Sequence, residues 1–378
     1  MRKLHRAAAL ILAAVMALSL CACGNAPAKE TQAQETEAPQ TRTITDALGR
    51  EVALPEKIET IVPLGNTPRM LTYLGLADRV VGIGDCEKAE SPLQAYAYVN
   101  RDKWKDLPVV GSDSFGETSY YPEELLSLAP DVIVCTYGLD TVQDIERQTG
   151  LPVVAVKDAS LFSPEYEDSL RILGEVCGVS ERAEAVVEFI NSCISDLRTR
   201  TEGIPDADKP SILAAAATFK GSHGIEGVYS NYAVFDVISV NDVTRDMMDS
   251  SVPKGVLVDK EQILKWNADM IFLDYSGVEL VRQDMAENPD FYKQLDAFTN
   301  GNVYQCPNST WHWSNVEIPL VSAYFMGSLL YPEAFADVDF EAKASEIFGF
   351  FLGEPDYLVT LAEAGAGYMK LDFEGMNG

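Results

Sequence analysis

Two segments of the chain repeat one pattern at a distance of 138 residues. Glu123–Gly138 reads EELLSLAPDVIVCTYG, and Glu261–Ser276 reads EQILKWNADMIFLDYS. Each segment begins with an acidic residue, continues with helical spacing and a turn, and ends in an apolar run that predicts a buried strand. A helix–strand unit that occurs twice indicates two α/β lobes of similar build.

Short apolar runs alternate with helix-like segments on both sides of these units, which predicts an α/β fold with mainly parallel sheets. Between the two halves, the segment 163–203 has apolar residues at helical spacing, and Ser180 is predicted to cap a helix that runs to about Thr201 and joins the lobes. A chain of 378 residues is long for a single core, which favours two domains. The predicted boundaries are a signal peptide at 1–22, a lipid anchor and disordered tether at 23–41, an N-terminal lobe at 42–162, the helical segment at 163–203, a C-terminal lobe at 204–338 and C-terminal helices at 339–378.

The N-terminus has the pattern of a secretory signal. Three basic residues precede an apolar run over residues 7–20, which is too short to cross about 30 Å of hydrocarbon. The sequence Leu-Cys-Ala-Cys that follows resembles a bacterial lipobox, in which Cys23 would be the lipid-modified residue. The sequence therefore predicts an extracytoplasmic protein that is lipid-anchored to the bacterial membrane, at the cell surface or on the periplasmic side.

The charge balance and the missing catalytic motifs limit the function classes. Acidic residues number 58 against 29 basic ones, so the chain lacks the basic footprint that a nucleic-acid partner requires. No nucleophile elbow, zinc-protease helix, phosphate loop or dinucleotide fingerprint is present. We therefore predict no catalytic residue, and an extracytoplasmic enzyme on a two-lobed α/β scaffold is only a distant alternative.

The chain resembles a known family from about Arg42 to Phe335. The resemblance depends on TITDALGREVALPEKIETIVPLG, EELLSLAPDVIV, SLRILGEVCGVSERAEAVVEFI, EQILKWNADMIFL and NGNVYQCP, in that order and spacing. These segments are similar to the class III substrate-binding lipoproteins of ABC importers, which take up iron–siderophore complexes, haem or cobalamin. The resemblance implies two Rossmann-like lobes joined by one long α-helix.

The resemblance also implies partners. An acidic residue on each lobe would dock onto an ABC permease, which works with its ATPase at the membrane, and the matching positions are Glu123 and Glu261. The same carboxylates would also stabilise their helix starts through the macrodipole. We expect a monomer without a cofactor, whose cargo is a small-molecule metal complex: a ferric siderophore or related iron chelate, or alternatively haem or a corrinoid such as cobalamin.

The cargo should contact loops that follow the carboxyl ends of the strands. We expect Tyr137 and Tyr275 to face each other across the cleft, and the single joining helix predicts little closure on binding. Haem would need an axial ligand, for which Tyr137, Tyr275, His223 and His312 are candidates. The predicted ligand-binding residues are Asn66, Thr67, Arg69, Tyr120, Tyr121, Tyr137, Lys220, His223, Tyr275, Trp311, His312 and Trp313.

Overall fold

The structure is a computed structural model, and it describes residues 41–88, 90–114, 117–230, 232–247 and 254–373. The predicted signal peptide and Cys23 lie outside the described residues. Among the residues that are described, no helix has both the length and the apolar character needed to span a bilayer.

Helices and strands alternate through the N-terminal half, as the sequence predicts. The strands β3 and β7 are buried along their whole length, which is typical of parallel strands that are covered on both faces. In chain order the elements are β1 (Thr41–Thr45), β2 (Glu51–Pro55), β3 (Ile61–Leu64), α1 (Thr67–Tyr73), β4 (Ile83–Gly84), α2 (Ala95–Trp104), β5 (Val109–Ser114), β6 (Glu117–Tyr120), α3 (Pro122–Leu128), β7 (Val132–Cys135), α4 (Leu139–Thr149) and β8 (Val153–Ala155).

These strands form two small sheets and a hairpin. β1 and β2 pair as an antiparallel hairpin, and β3, β7 and β8 form a parallel sheet in the order β3-β7-β8. In the second sheet β4 is parallel to β5, whereas β6 is antiparallel to β5. The two sheets adjoin, because the N–H of Val81 donates to the carbonyl of Ile61 at 3.0 Å.

Two antiparallel helices, α5 (Pro164–Cys177) and α6 (Ser180–Thr201), connect the halves of the chain. The predicted apolar positions of α6 are buried. The predicted cap at Ser180 is wrong, because the helix already includes this residue and no side chain caps its start. Ser163 caps α5 instead, where its hydroxyl accepts the N–H of Tyr166.

The C-terminal half is organised around one mixed sheet of seven strands. β9, β13 and β14 are its parallel centre, and antiparallel strands flank them on both sides. The elements are β9 (Ser211–Ala215), β10 (Gly227–Ser230), α7 (Ala233–Val237), β11 (Asn241–Asp242), β12 (Lys254–Leu257), α8 (Lys260–Trp266), β13 (Met270–Asp274), α9 (Tyr275–Glu287), α10 (Pro289–Tyr292), α11 (Asp296–Thr299), β14 (Val303–Cys306), β15 (Thr310–Trp311), β16 (Trp313–Ser314), α12 (Glu317–Leu330), α13 (Phe340–Leu352), α14 (Tyr357–Glu363) and β17 (Met369–Lys370).

The repeat seen in the sequence is also present in the structure. Helices α3 and α8 are both seven residues long and lie 138 positions apart. Both end in a left-handed residue, Ala129 with φ 44° and Asn267 with φ 39°. A left-handed residue after a helix redirects the chain and is uncommon for alanine. The two halves therefore use the same turn between helix and strand.

The residue that opens the repeated strand also has the same role in both halves. The Asp131 carboxylate accepts the backbone N–H of Thr60 at 2.8 Å, and the Asp269 carboxylate accepts the N–H of Ser211 at 2.7 Å. In each case the aspartate ties the central strand to the neighbouring parallel strand. These bonds lower the pKa of Asp131, because they stabilise its charged form.

One hydrophobic cluster contains residues of both halves. A single buried cluster contains Leu71 of α1, Leu173 of α5, Ile190 of α6, Phe272 of β13 and Phe351 of α13. Because the chain after α12 returns to pack against α1, helix α6 is not the only connection between the halves. The C-terminal segment, predicted to consist of helices, contains α13, α14 and the edge strand β17.

Candidate ligand site between the lobes

Strand β3 of the N-terminal lobe is followed by residues that already make hydrogen bonds within the protein. Asn66 is buried, and its backbone N–H donates to the Thr136 hydroxyl at 3.0 Å. The hydroxyl of Thr67 is fully buried and donates to the carbonyls of Leu64 and Val134. Both residues were predicted to contact cargo, and the structure places them beneath the surface where they fix the start of α1.

Arg69 is the central residue of a buried polar network between the lobes. Its guanidinium is fully buried and lies 4.3 Å from the centre of the Tyr96 ring. Nε donates to Asn315 Oδ1 at 3.2 Å, Nη2 donates to the Trp311 carbonyl at 3.1 Å, and Nη1 donates to Asn66 Oδ1. The sequence predicted that Arg69 contacts the cargo. The structure bonds it to neutral oxygens of the protein.

The partners of Arg69 belong to a short hairpin that follows β14. Strands β15 and β16 pair Trp311 with Trp313, so His312 alone forms the turn, with φ 60°. The Asn315 N–H donates to the Ser309 carbonyl at 3.0 Å and closes the base of this loop. We call residues 310–314 the aromatic hairpin. Both tryptophans are partly buried and His312 is exposed.

Polar groups of the N-terminal lobe lie near the aromatic hairpin. The Tyr137 hydroxyl donates to Asp113 Oδ2 at 2.9 Å, and the same carboxylate accepts the Gly65 N–H at 3.2 Å. Although His312 is exposed, desolvation by the surrounding protein lowers its pKa and the Arg69 guanidinium lowers it further, whereas the carboxylates of Asp85 and Asp113 oppose the shift. His312 is therefore a neutral imidazole near pH 7. This arrangement brings Tyr137 and the hairpin to the same side of the molecule.

Tyr120 and Tyr121, which the sequence predicts as cargo contacts, lie at the end of β6 and at the start of α3, and their contact with cargo stays a prediction. β6 runs antiparallel to β5, so the C-terminal end of β6 lies beside the N-terminal part of β5, where Tyr120 pairs with Gly111. The Tyr120 hydroxyl donates to Asp144 on α4. Tyr121 is exposed at the start of α3.

The two tyrosines that were expected to face each other have different local settings. Helix α9 begins at Tyr275 itself, whereas Gly138 separates Tyr137 from α4. The Tyr275 hydroxyl donates to the Ala364 carbonyl at 3.2 Å, so this side chain packs against the C-terminal segment. The repeat therefore diverges at its last residue.

Lys220 and His223 lie in a tight loop of the C-terminal lobe. Lys220 is exposed with φ 49°. His223 Nε2 hydrogen-bonds to the Phe219 carbonyl at 2.8 Å, and the two rings are 4.1 Å apart. His223 therefore supports its own loop, while Lys220 is free to extend from it.

Several residues of the network were not identified from the sequence. The Tyr73 hydroxyl donates to the fully buried Glu317 and also accepts the Val316 N–H at 3.2 Å. The second carboxylate oxygen of Glu317 has no hydrogen-bond partner in the described ranges. Arg69 and Tyr73 are four residues apart and so lie on one face of α1, which was the only local signal for this pairing.

The two residues predicted to dock onto a permease are both exposed. Glu123 lies in the first turn of α3, and Glu261 lies in the first turn of α8. Exposed leucines accompany them, with Leu126 49% exposed on α3 and Leu257 61% exposed just before α8. Helix α3 therefore presents a carboxylate and a leucine to solvent, whereas the exposed leucine near the carboxylate of α8 belongs to the preceding strand β12.

Two further observations concern where a ligand or metal could bind. A surface cavity of about 510 Å³ lies between α6 and α13, but its Arg200 is paired with Asp196 and Asp337. Across the described part of the chain, no three or more His, Cys, Asp or Glu side chains are grouped to hold a metal ion.

The comparison with protein families identifies the class. Residues 66–310 match the family described as periplasmic binding protein, which covers well over half of the chain. An uncharacterised ABC transporter substrate-binding lipoprotein of Bacillus subtilis, YvrC, is 25% identical over 79% of this chain and 87% of its own length. The molybdate-binding protein MolA of Haemophilus influenzae is 23% identical over 82% and 90%. The petrobactin-binding protein YclQ of Bacillus subtilis is 22% identical over 81% and 92%.

Solved structures have the same fold. A periplasmic solute-binding protein of Veillonella parvula has a TM-score of 0.67 at 19% identity, over 83% of this chain and 93% of that one. The TroA-like periplasmic binding protein FepB of the same organism has a TM-score of 0.59 at 20% identity, over 82% and 96%. The chain belongs to the periplasmic binding protein family, and it is an ABC transporter substrate-binding protein and not an enzyme.

Proposed function

We propose that this protein is the lipid-anchored receptor of an ABC importer and that it captures a ferric siderophore or a related iron complex between its two lobes. The lipid would be attached to Cys23 and would keep the folded part close to the membrane. The permease would recognise the loaded receptor through Glu123 and Glu261, and the partner ATPase would drive transport.

The aromatic hairpin is the observation that carries this proposal. Trp311 and Trp313 are held where the C-terminal lobe meets α1 of the N-terminal lobe, with partly exposed faces. Aromatic faces of this kind suit a large and partly apolar chelate, and the indole N–H groups add hydrogen-bond donors. The buried Trp313 Nε1–H has no acceptor among the residues that the structure describes. A cargo oxygen would satisfy it.

The burial and the hydrogen bonds of Arg69 favour a chelate over a small oxyanion as the cargo. One relative is named for molybdate and another for petrobactin. An oxyanion site needs donors or cations that point at the ligand. The Arg69 guanidinium is fully buried and bonded to Asn66, Asn315 and the Trp311 carbonyl. It is therefore committed to the protein, which favours recognition by aromatic contact.

Haem is the second candidate, and His312 is the observation that favours it. Among the four residues predicted as axial ligands, the structure bonds Tyr137 to Asp113, Tyr275 to Ala364 and His223 to Phe219. His312 is exposed at the turn of the hairpin, and its lowered pKa keeps the imidazole neutral, as metal ligation requires.

A ligand screen tests the proposal. The purified protein would be titrated at micromolar concentration with a ferric catecholate, a ferric hydroxamate, haemin and cyanocobalamin, while absorbance and tryptophan fluorescence are recorded. We expect one ferric chelate to bind stoichiometrically and to quench fluorescence. Replacing Trp311 and Trp313 by alanine should weaken binding by at least about tenfold, because each aromatic contact contributes on the order of 1 kcal/mol.

Trp266→Ala is the matched control, since Trp266 is the last residue of α8 and does not belong to the hairpin. This substitution should leave the affinity for cargo unchanged. A Soret band that is lost in His312→Ala and kept in His223→Ala would identify haem as the cargo instead. Absence of quenching by all four ligands would refute the proposed cargo class, and turnover of any of them would refute the binding role.

A further inference from the structure

The aromatic hairpin belongs to the C-terminal lobe by sequence, but its hydrogen bonds lead to the N-terminal lobe. Its own strands are only two residues long, and a hairpin of that length has little stability by itself. The turn residue His312 also occupies the left-handed region, which is unfavourable for a residue with a Cβ atom. Some other part of the protein must therefore hold this conformation.

Arg69 supplies that support from α1. One guanidinium donates at the same time to the Trp311 carbonyl, at 3.1 Å, and to the Asn315 side chain, at 3.2 Å. Asn315 in turn donates to the Leu93 carbonyl at 3.2 Å. The planar fork of an arginine can make such divergent bonds, whereas the single ammonium of a lysine cannot.

The surroundings fix the guanidinium itself. Arg69 is fully buried, lies over the Tyr96 ring and is bonded to Asn66 at the start of its own helix. Within the described part of the chain no carboxylate pairs with it directly, and its hydrogen bonds end on neutral oxygens. One turn further along α1, the Tyr73 hydroxyl donates to Glu317 and accepts the N–H of Val316. Both residues follow Asn315 at the end of the hairpin.

We propose that Arg69 is a positioning residue that locks the aromatic hairpin of one lobe against the other lobe, and so presents Trp311 and Trp313 to the cargo without touching it. This inference rests on the proposed function only in assigning the cargo contact to the hairpin. Arg69 carries no reaction and makes no bond to the ligand; it sets the conformation of the residues that do.

Hydrogen exchange of the full-length protein tests the inference without any ligand. We expect Arg69→Gln to accelerate exchange of the backbone amides of residues 311–316 by about tenfold or more, because hydrogen bonds to a buried charged donor restrain that segment. Arg69→Lys should not restore protection, since it keeps the charge but loses the fork. The amides of β7 should change far less.

Two further variants keep the test decisive. Arg79→Gln is the matched control, because Arg79 also donates to backbone carbonyls, those of Ile58 and Cys177, in the same half of the chain. It should leave exchange of residues 311–316 unchanged. Asn315→Ala removes the acceptor from the opposite side and should loosen the same amides even if Arg69→Gln does not fold.

The outcomes separate this inference from the proposed function. If residues 311–316 exchange no faster in Arg69→Gln and Asn315→Ala than in Arg79→Gln, the positioning role is overturned. If they do loosen, cargo affinity in Arg69→Gln should fall about tenfold, mainly through faster dissociation. If the amides exchange faster in Arg69→Gln but cargo affinity is unchanged, the positioning role of Arg69 is supported and the hairpin is not the cargo contact.

Discussion

At the scale of single residues, two buried carboxyl groups make the protein sensitive to pH. Burial raises the pKa of Asp274 and of Glu87 to about 7, and hydrogen bonds to each group oppose the shift. Asp274 accepts the Tyr229 hydroxyl at 2.7 Å and the Thr218 N–H at 3.0 Å. Burial disfavours the charged form more than these bonds stabilise it.

The raised pKa of Asp274 predicts the direction of a stability change. The carboxyl of the unfolded chain titrates near pH 4, so between about pH 4 and pH 7 the folded state binds its proton more tightly. The contribution of Asp274 is therefore fully present below pH 4 and is lost as the pH rises through about 7. Urea unfolding at pH 5 and pH 8 should show a smaller decline in the free energy of unfolding for Asp274→Asn than for the wild type, by on the order of 1–3 kcal/mol.

The exposed Asp290, whose side chain is 92% exposed, provides the control for this experiment. Asp290→Asn also replaces an aspartate by an asparagine. Its free energy of unfolding should decline with pH as that of the wild type does. An equal decline in Asp274→Asn, Asp290→Asn and the wild type would show that Asp274 does not titrate in this range.

At the scale of elements, α3 and α8 are the clearest repeated surface of the molecule. They have the same length, the same left-handed end and an exposed glutamate in the same position. We predict that replacing both Glu123 and Glu261 by alanine abolishes cargo uptake by cells and leaves cargo affinity unchanged, since the two carboxylates are exposed and would pair only with the permease. Uptake of radiolabelled iron chelate and binding to the purified variant would be measured together.

A matched pair controls for the loss of two negative charges. Glu175 on α5 and Glu188 on α6 are also exposed on helices, but they lie outside the repeated unit. Their double alanine variant should transport normally. Normal uptake in the Glu123 and Glu261 variant would remove the docking assignment, and weakened cargo binding would point to an indirect effect through the fold.

Local patterns of the sequence predicted the elements well, because helical and strand periodicity depends on near neighbours. They carry little information on strand direction or on contacts between distant residues. The position of Tyr120 depends on β6 being antiparallel, and that of Tyr275 depends on α9 beginning without a loop. The bond between Arg69 and Asn315 joins residues that are 246 positions apart, so no local spacing could indicate it.

At the scale of the whole molecule, the halves are held together by more than the helix α6. Phe351 of α13 packs edge-on against Tyr73 with ring centres 5.0 Å apart, and the Tyr357 hydroxyl donates to the Pro92 carbonyl at 2.6 Å. Together with the shared core and the Arg69 network, these contacts oppose relative rotation of the lobes.

This shared packing predicts a small conformational change on binding. We expect the radius of gyration from small-angle X-ray scattering to change by no more than about 1 Å when cargo is added, because opening would expose buried polar groups of both lobes. The same measurement on Arg79→Gln, which leaves the contacts between the lobes intact, is the control. Compaction of several ångströms in the wild type would show instead a widely opening receptor.

The aromatic hairpin has a consequence for how such a receptor can change its cargo over evolution or by engineering. A chimera that joins residues 41–203 of this chain to the second lobe of a relative would separate Arg69 and Tyr73 from the segment they hold. Exchanged lobes would then meet with a buried guanidinium and a buried hydroxyl lacking acceptors. An exchange of lobes that changes the specificity must therefore take α1 and residues 311–317 from the same protein.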